Sequence, residues 1–233
     1  MLDLKVDPES PAASDAKDLL YKHSMDRVRE IASETPECTV EAYACYFTAG
    51  AASLDFFREK GFMPEPDLIM LECDLTTITP SLEQLEGLVI RQWRMERDDE
   101  LLAWLKVHNE ALPMNIENLT SLRAYYHAPF GSTVTTFTAF DGDTIAGSVM
   151  IFHYGTGRSE VVGKVERVFV SPIYRRRGIA RTLLRHALHH FSLHGLTTAT
   201  LDTSTENHNA LGLYTGVGFR VVREIGTVCM RIE

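Results

Sequence analysis

Hydrophobic and polar positions over residues 88–233 alternate between two periods, and each change of period marks an element. "LVIRQW" (88–93) reads as a short strand after the turn-like "LEG". "ERDDELLAWLKVHN" (96–109) reads as an amphipathic helix with Leu101, Leu102, Leu105 and His108 towards one side. A second helix is expected over 117–126, ended by His127-Ala-Pro-Phe. "STVTTFTAF" and "TIAGSVMIF" flank the turn "DGD" and give a hairpin signal. After the loop "HYGTGRS", "EVVGKVERVFV" (160–170) alternates as a further strand. Apolar positions 180, 183, 184, 187, 188 and 191 then keep helical spacing until Gly195. "TTATLDT" (197–203) is the next strand, "ENHNALGLYTG" (206–216) a short helix, and "FRVVRE", "IG", "TVCMRIE" a closing hairpin. The predicted order β-α-α-β-β-β-α-β-α-β-β describes a mixed α/β sheet.

Composition narrows the partners. The 233 residues carry 23 basic and 32 acidic side chains, a net charge of −9, which argues against nucleic acid or an anionic membrane as the main partner. No apolar run approaches bilayer length. The start, "MLDLKVDPESPAASD", is acidic and Pro-broken, unlike a signal or transit peptide, so a cytoplasmic protein is expected. Cysteines 38, 45, 73 and 229 show no CxxC and no Cys/His pair at finger spacing, and read as free thiols rather than disulfides or a metal site. Histidines 186, 189, 190 and 194 include i, i+4 pairs but no HExxH, and read as surface or boundary residues beside the apolar stripe.

Against that acidic background, "SPIYRRRGIARTLL" (171–184) is a local anomaly. Five arginines (175, 176, 177, 181, 185) fall within eleven residues, around Gly178. A loop running through Gly178 into a helix leaves free N–H groups at the positive end of the helix dipole, where a phosphate approaches without meeting a Cβ. Ala180 is nearly as small. Taken alone, the stretch also reads as a basic, solvated helix start.

Its context separates the two readings. "VERVFVSPIYRRRGIARTLLRHAL", then a strand, then Asn207, Ala210, Tyr214, Gly218 and Phe219 in "N-x-x-A-x-x-x-Y-x-x-x-G-F" resemble the GCN5-related N-acetyltransferases (GNAT) over residues 88–233. The resemblance implies a GNAT-like acyl-CoA-binding fold with acetyl-CoA as co-substrate, no metal, and a small-molecule or peptide amine as acceptor. It places the cofactor's pyrophosphate on Arg175, Arg176, Arg177, Gly178, Ile179, Ala180 and Arg181. It also implies a splayed strand pair holding the pantetheine arm, with Phe169 and Val170 pairing through their backbones and the Val170 amide polarising the acetyl carbonyl. Asn207 would support the cofactor or the helix start.

Acyl transfer to an amine needs a base for the amine and a proton for the leaving thiolate. Tyr214 is the family-matched acid, or it packs with Ala210 and Val217 on the core face of a short helix. For the base, Glu166 lies on the strand leading to the loop. Unbroken alternation puts it on the face of Val168 and Val170, as a functional carboxylate or as a strand-end residue in solvent. Glu160 and His153 are weaker alternatives. Acceptor-side residues are expected from 108–130, where "YYHAPF" (125–130) lines the pocket or closes a helix, and from the loop at 153–159. Phe169, Ile151 and Phe152 would set donor depth, leaving longer acyl groups open. A regulatory module that binds acyl-CoA without turnover is the alternative function.

The N-terminal part repeats the end of the chain. "FFREKGF" (56–62) falls on "LYTGVGF" (213–219) at an offset of 157, which places Phe57 on Tyr214 and Gly50 on Asn207. Upstream, "KVDP" (5–8) resembles "FVSP" (169–172). Gly50 is the first glycine, so no phosphate loop exists between residues 8 and 20, where Glu9, Asp15 and Asp18 stand instead. A non-catalytic half-domain is expected over 1–80, a linker over 81–87 and the catalytic domain over 88–233. The half-domain would make the chain a monomeric pseudo-dimer, with a homodimer as the other possibility.

Overall fold

The computed structural model describes residues 13–34, 40–47, 51–78, 82, 84–155 and 161–232. In chain order the elements are α1 (Ala13–Glu34), β1 (Val40–Phe47), α2 (Ala51–Glu59), β2 (Met63–Asp74), β3 (Val89–Trp93), α3 (Asp98–Ala111) and α4 (Leu119–His127). The hairpin strands β4 (Thr135–Asp141) and β5 (Thr144–Gly155) follow, then β6 (Val161–Val170), α5 (Ile179–Leu193), β7 (Thr198–Ser204), α6 (His208–Thr215) and β8 (Arg220–Ile232). The eight strands form a mixed sheet. Two compact units divide the chain, and no single cut separates them. The smaller takes Met1–Ile69, Ser204–Glu206 and Arg223–Glu233; the larger takes Met70–Thr203 and Asn207–Val222. The sequence reading cut once, at 81–87; β2 and β8 instead each run from one unit into the other.

In the smaller unit β8 lies between β1 and β2. β1 pairs antiparallel with β8 from Val40↔Ile232 to Phe47↔Ile225. Met25 of α1, Ala42 and Ala44 of β1, Phe57 of α2, Phe62 and Val228 close its core. The expected closing hairpin at "IG" does not form. Gly226 lacks the positive φ of a hairpin turn and sits buried opposite Tyr46, so β8 continues straight through it.

In the larger unit the order is β2-β7-β6-β5-β4-β3. β3 to β6 are antiparallel neighbours, whereas β6 and β7 are parallel across the crossover helix α5. One face of α5 buries Ile179, Leu183, Leu184, Ala187, Leu188 and Phe191. A Cβ on Gly163 of β6 would stand 2.7 Å from the Phe191 ring, so that close contact requires glycine. Elsewhere in this unit a core of Met95, Leu101, Trp104, Leu105, Leu122, Met150, Phe152 and Phe169 gathers α3, α4 and the strands. Several of the polar groups buried near it satisfy one another. The Trp104 indole donates to Ser148 Oγ at 3.0 Å, Ser148 and Thr138 hydroxyls lie 2.8 Å apart, and Thr136 donates to the Trp93 carbonyl at 2.8 Å.

Two turns share one geometry. After α6, the Phe219 N–H donates to the Tyr214 carbonyl at 3.1 Å, the Gly218 N–H to the Thr215 carbonyl at 3.1 Å, and Gly218 has φ +114°. After α2, the Phe62 N–H donates to the Phe57 carbonyl at 3.0 Å, the Gly61 N–H to the Arg58 carbonyl at 3.0 Å, and Gly61 has φ +91°. Helices and following strands begin at 51 and 63 in one case and at 208 and 220 in the other, both 157 apart.

Candidate active site

The arginine loop opens with a small departure from expectation. β6 ends at Val170, and one turn of 3₁₀ helix, Pro172–Tyr174, precedes the glycine. Arg176 and Gly178 both take positive φ, +65° and +79°. The glycine is the N-cap of α5 and carries no side-chain cap, and helical bonding begins with the Thr182 N–H to its carbonyl at 3.1 Å. The N–H groups of Ile179, Ala180 and Arg181 precede that first bond and point out of the helix start. A Cβ at Gly178 would meet nothing within 4 Å, so the space over these donors is open. Arg175, Arg176, Arg177 and Arg181 are exposed around it, whereas Ile179 is buried and anchors the helix. Arg175 bridges inward, donating to the Val170 carbonyl at 3.4 Å and the Ala111 carbonyl at 3.0 Å.

Beside the loop two parallel strands separate. β6 and β7 pair at Gly163↔Ala199 and Lys164↔Thr200, and the six residues of β6 after Lys164 have no partner in β7. Lys164 marks the fork, its ammonium bonded to the Asp202 carboxylate with only 11% of its side chain exposed. On the other side β6 stays paired with β5 through Ser148↔Phe169 and Gly147↔Val170. The Phe169–Val170 backbone therefore presents one hydrogen-bonding edge to the gap, as a strand-like ligand requires.

A bulge lies within that stretch. Met150 pairs with Glu166 and Ser148 with Phe169, so Arg167 and Val168 together oppose Val149, and Arg167 takes φ +46°. The bulge corrects the expected alternation: Glu166 shares a face with Phe169, not with Val168 and Val170. The Glu166 carboxylate is partly buried, 4.0 Å from the Lys164 ammonium and 3.6 Å from the Arg167 guanidinium. Burial is the larger influence and raises its pKa; the two cations oppose the rise. Tyr214 of α6 is 8% exposed, edge-on to Phe219, and its hydroxyl is pushed up to about 12, chiefly by burial and then by the Glu166 charge. The acid candidate thus feels the charge of the base candidate. Asn207 caps α6, accepting the Ala210 N–H at 3.2 Å, and so serves the helix start. Glu160 lies outside the described residues, and His153 lines a separate cavity.

Sequence reasoning missed the residues that hold this site. The Arg167 side chain is 9% exposed, bonded to Glu117 from the α3–α4 connection and stacked 4.2 Å over the Tyr125 ring. Glu117 is fixed in turn: its N–H donates to Asn109 Oδ1 at 3.0 Å, and Ser121 bonds its carboxylate. Asn109 Oδ1 also meets Nδ1 of His108 at 2.9 Å, while His108 is fully buried, stacked on Trp104 at 5.0 Å. Burial lowers the His108 pKa, which favours the neutral ring. The available signal was "ER" at 166–167, two adjacent charges inside an apolar strand, which period-2 pairing cannot place without a bulge. "YYHAPF" largely closes a helix: Phe130 stacks on Phe152 at 4.2 Å, and Tyr125 meets Phe152 at 5.9 Å.

Known proteins share both sequence and fold. The curated relatives include mycothiol acetyltransferases from Nocardioides sp., 27% identical over 70% of this chain and 60% of that protein, and from Nocardia farcinica, 31% identical over 60% and 49%. The chain spans about half to three-fifths of the length of these relatives. Among solved structures, a GCN5-related N-acetyltransferase from Sphaerobacter thermophilus superposes with a TM-score of 0.67 at 17% identity, over 92% of this chain and 67% of that one. A tandem GNAT protein from the clavulanic acid biosynthesis pathway also gives 0.67, at 14% identity over 97% and 73%. The acetyltransferase (GNAT) family pattern matches residues 100–219, more than half the chain and the span from α3 through the arginine loop to the turn after Tyr214. The chain belongs to the GNAT acetyltransferase family.

Proposed function

We propose that the protein transfers an acetyl group from acetyl-CoA to an amine by direct attack within a ternary complex. The observation that carries this reading is the conjunction at the end of β6: an open helix start ringed by arginines, a strand edge without a partner, and Glu166 electrostatically coupled to Tyr214. The pyrophosphate would lie on the N–H groups of 179–181, and the pantetheine arm would add as a strand along Phe169 and Val170. The Val170 N–H then polarises the thioester carbonyl.

Glu166 takes the amine proton through water as nitrogen bonds to the acetyl carbon. The C–S bond breaks, and Tyr214 gives its proton to the departing thiolate. Their coupling links the two transfers. The Glu166 charge is one reason the Tyr214 hydroxyl is a weak acid, so protonating Glu166 strengthens that acid when the thiolate needs it. Arg167, held by Glu117 and Tyr125, positions Glu166. The acidic chain suits a cationic amine, and an acceptor related to mycothiol is one arm of the panel that tests this.

We also read residues 1–80 as a degenerate half-GNAT repeat without catalytic residues. The matched turns at Phe57 and Tyr214 and the common offset support it; "KVDP", Glu9 and Gly50 lie outside the described residues.

Calorimetry with acetyl-CoA, followed by thiol release with a panel of amines, tests the function. One site per chain with thiol release is expected. Binding with no release from any amine favours the regulatory acyl-CoA-binding module, and no binding overturns the loop assignment.

A further inference from the structure

The larger unit contains a cavity of 390 Å³ that shares no residue with the acetyltransferase machinery. Gln92 and Arg94 from the end of β3, residues 132–134, Thr135 from β4, His153 from β5, and His190 and His194 from the last turn of α5 and its cap line it. His153 pairs with Gly163, three positions along β6 from Glu166, so it belongs to this cavity and not to the base position.

Among the described residues the lining is rich in donors and holds no carboxylate. Arg94 spends two N–H groups on the carbonyls of Ser132 and Gly131, at 2.8 and 3.3 Å, and a guanidinium has more to offer. Thr135, 5% exposed, has a buried hydroxyl with no hydrogen-bond partner among the described residues. The His190 and His194 rings lie 4.1 Å apart, and His153 lies 6.4 Å from His194. Nδ1 of His194 meets the His190 carbonyl at 2.8 Å, so that nitrogen carries the proton and Nε2 becomes a donor only when the ring is charged. No group of three His, Cys, Asp or Glu among the described residues is placed to hold a metal ion, which turns the imidazoles towards an anion.

We propose that this cavity is a second ligand site, for the oxyanion group of a small organic acid or phosphate ester, held by Arg94, Thr135 and protonated imidazoles. Its volume is in the range of small-molecule sites, roughly 300–1,000 Å³. In the free protein burial, and after it the neighbouring imidazoles, disfavours the charged forms of His190 and His153. His190 is pushed down to about 4, first by burial and then by His194, His153 and His189, and His153 is lowered by burial and by His194. The groups facing His190 are thus His189 and His194 on its own helix, His153 on β5 and Arg94 after β3, all neutral or cationic. An anion entering here brings a proton with it, so binding strengthens as pH falls.

Histidine ring signals in long-range ¹H–¹⁵N spectra test this, with sulfate as a probe that does not titrate and acetate as the planar alternative. Acetyl-CoA-saturated protein is used, so that the arginine loop is not the reporter. His153, His190 and His194 should shift together along one saturation curve, at least about tenfold tighter near pH 6 than near pH 8, with net proton uptake. The preferred anion tells a tetrahedral from a carboxylate ligand. His194→Gln, at an exposed position, should weaken the response of His153 and His190, whereas Gly178→Glu, titrated without acetyl-CoA, should leave it unchanged and so separates this site from the cofactor loop. Rings that do not move with either anion, or an affinity indifferent to pH or to His194→Gln, would overturn the proposal.

Discussion

The turns after α2 and α6 use the same backbone hydrogen bonds to hold different chemistry. Phe57 and Tyr214 occupy matched places, 6% and 8% exposed, each edge-on to a phenylalanine five residues later, at 5.4 Å and 6.2 Å. Only one has a hydroxyl. Carried upstream without a gap, the offset of 157 sets Tyr21 at the place of Gly178, whereas "KVDP" on "FVSP" is an offset of 164 and needs a slip of seven residues. Tyr21 lies inside α1, a helix of 22 residues against 15 in α5, and packs against Phe56 and Phe62. There the N–H groups that would meet a phosphate are spent inside a helix that starts eight residues earlier. The two turns thus share apolar positions and one left-handed glycine, and differ in the hydroxyl of Tyr214.

The largest expected effect comes from filling the helix start. Gly178→Glu should weaken acetyl-CoA binding by roughly 100-fold or more, through repulsion at the N–H donors and through strain at φ +79°, as calorimetry would read. Next is the hydroxyl that distinguishes the two turns. Tyr214→Phe should lower kcat by about 100-fold or more at unchanged acetyl-CoA affinity; unchanged turnover across pH would remove Tyr214 as the acid. A smaller effect tests Arg167. With Arg167→Gln, one of the two cations that hold the Glu166 pKa down is gone, so that pKa climbs further. Because the base must be ionised, the acid limb of kcat/KM should move to higher pH, by about one unit; a downward move would sink Glu166 as the base. The smallest effect is a null. Phe57→Tyr should leave turnover and the one-site acetyl-CoA stoichiometry unchanged, and a second binding site would break the contrast between the halves.

Much of this was legible because it is local. The 3.6-residue stripe of α5, the "DGD" hairpin and the arginines around Gly178 all declare themselves within a dozen residues, where backbone geometry and side-chain period are coupled directly. The failures are equally local in cause. "IG" in β8 looks like a turn, but strand partners on both sides satisfy the backbone on either side of Gly226 and hold it extended. Glu166 was placed by a period that the bulge at Arg167 resets.

The sequence by itself determined the family and, apart from the closing hairpin, the element order of 88–233, and it supplied the candidates for the anion loop and the acid, because each depends on residue type and short-range spacing. Only the tertiary structure decided which face Glu166 takes, that Glu117 and Arg167 hold it, where β6 leaves β7, and that His153 joins His190 and His194 in a cavity of its own. Those features depend on pairing between residues far apart in the chain, and strand register and burial are fixed by the assembled sheet rather than by any segment of it.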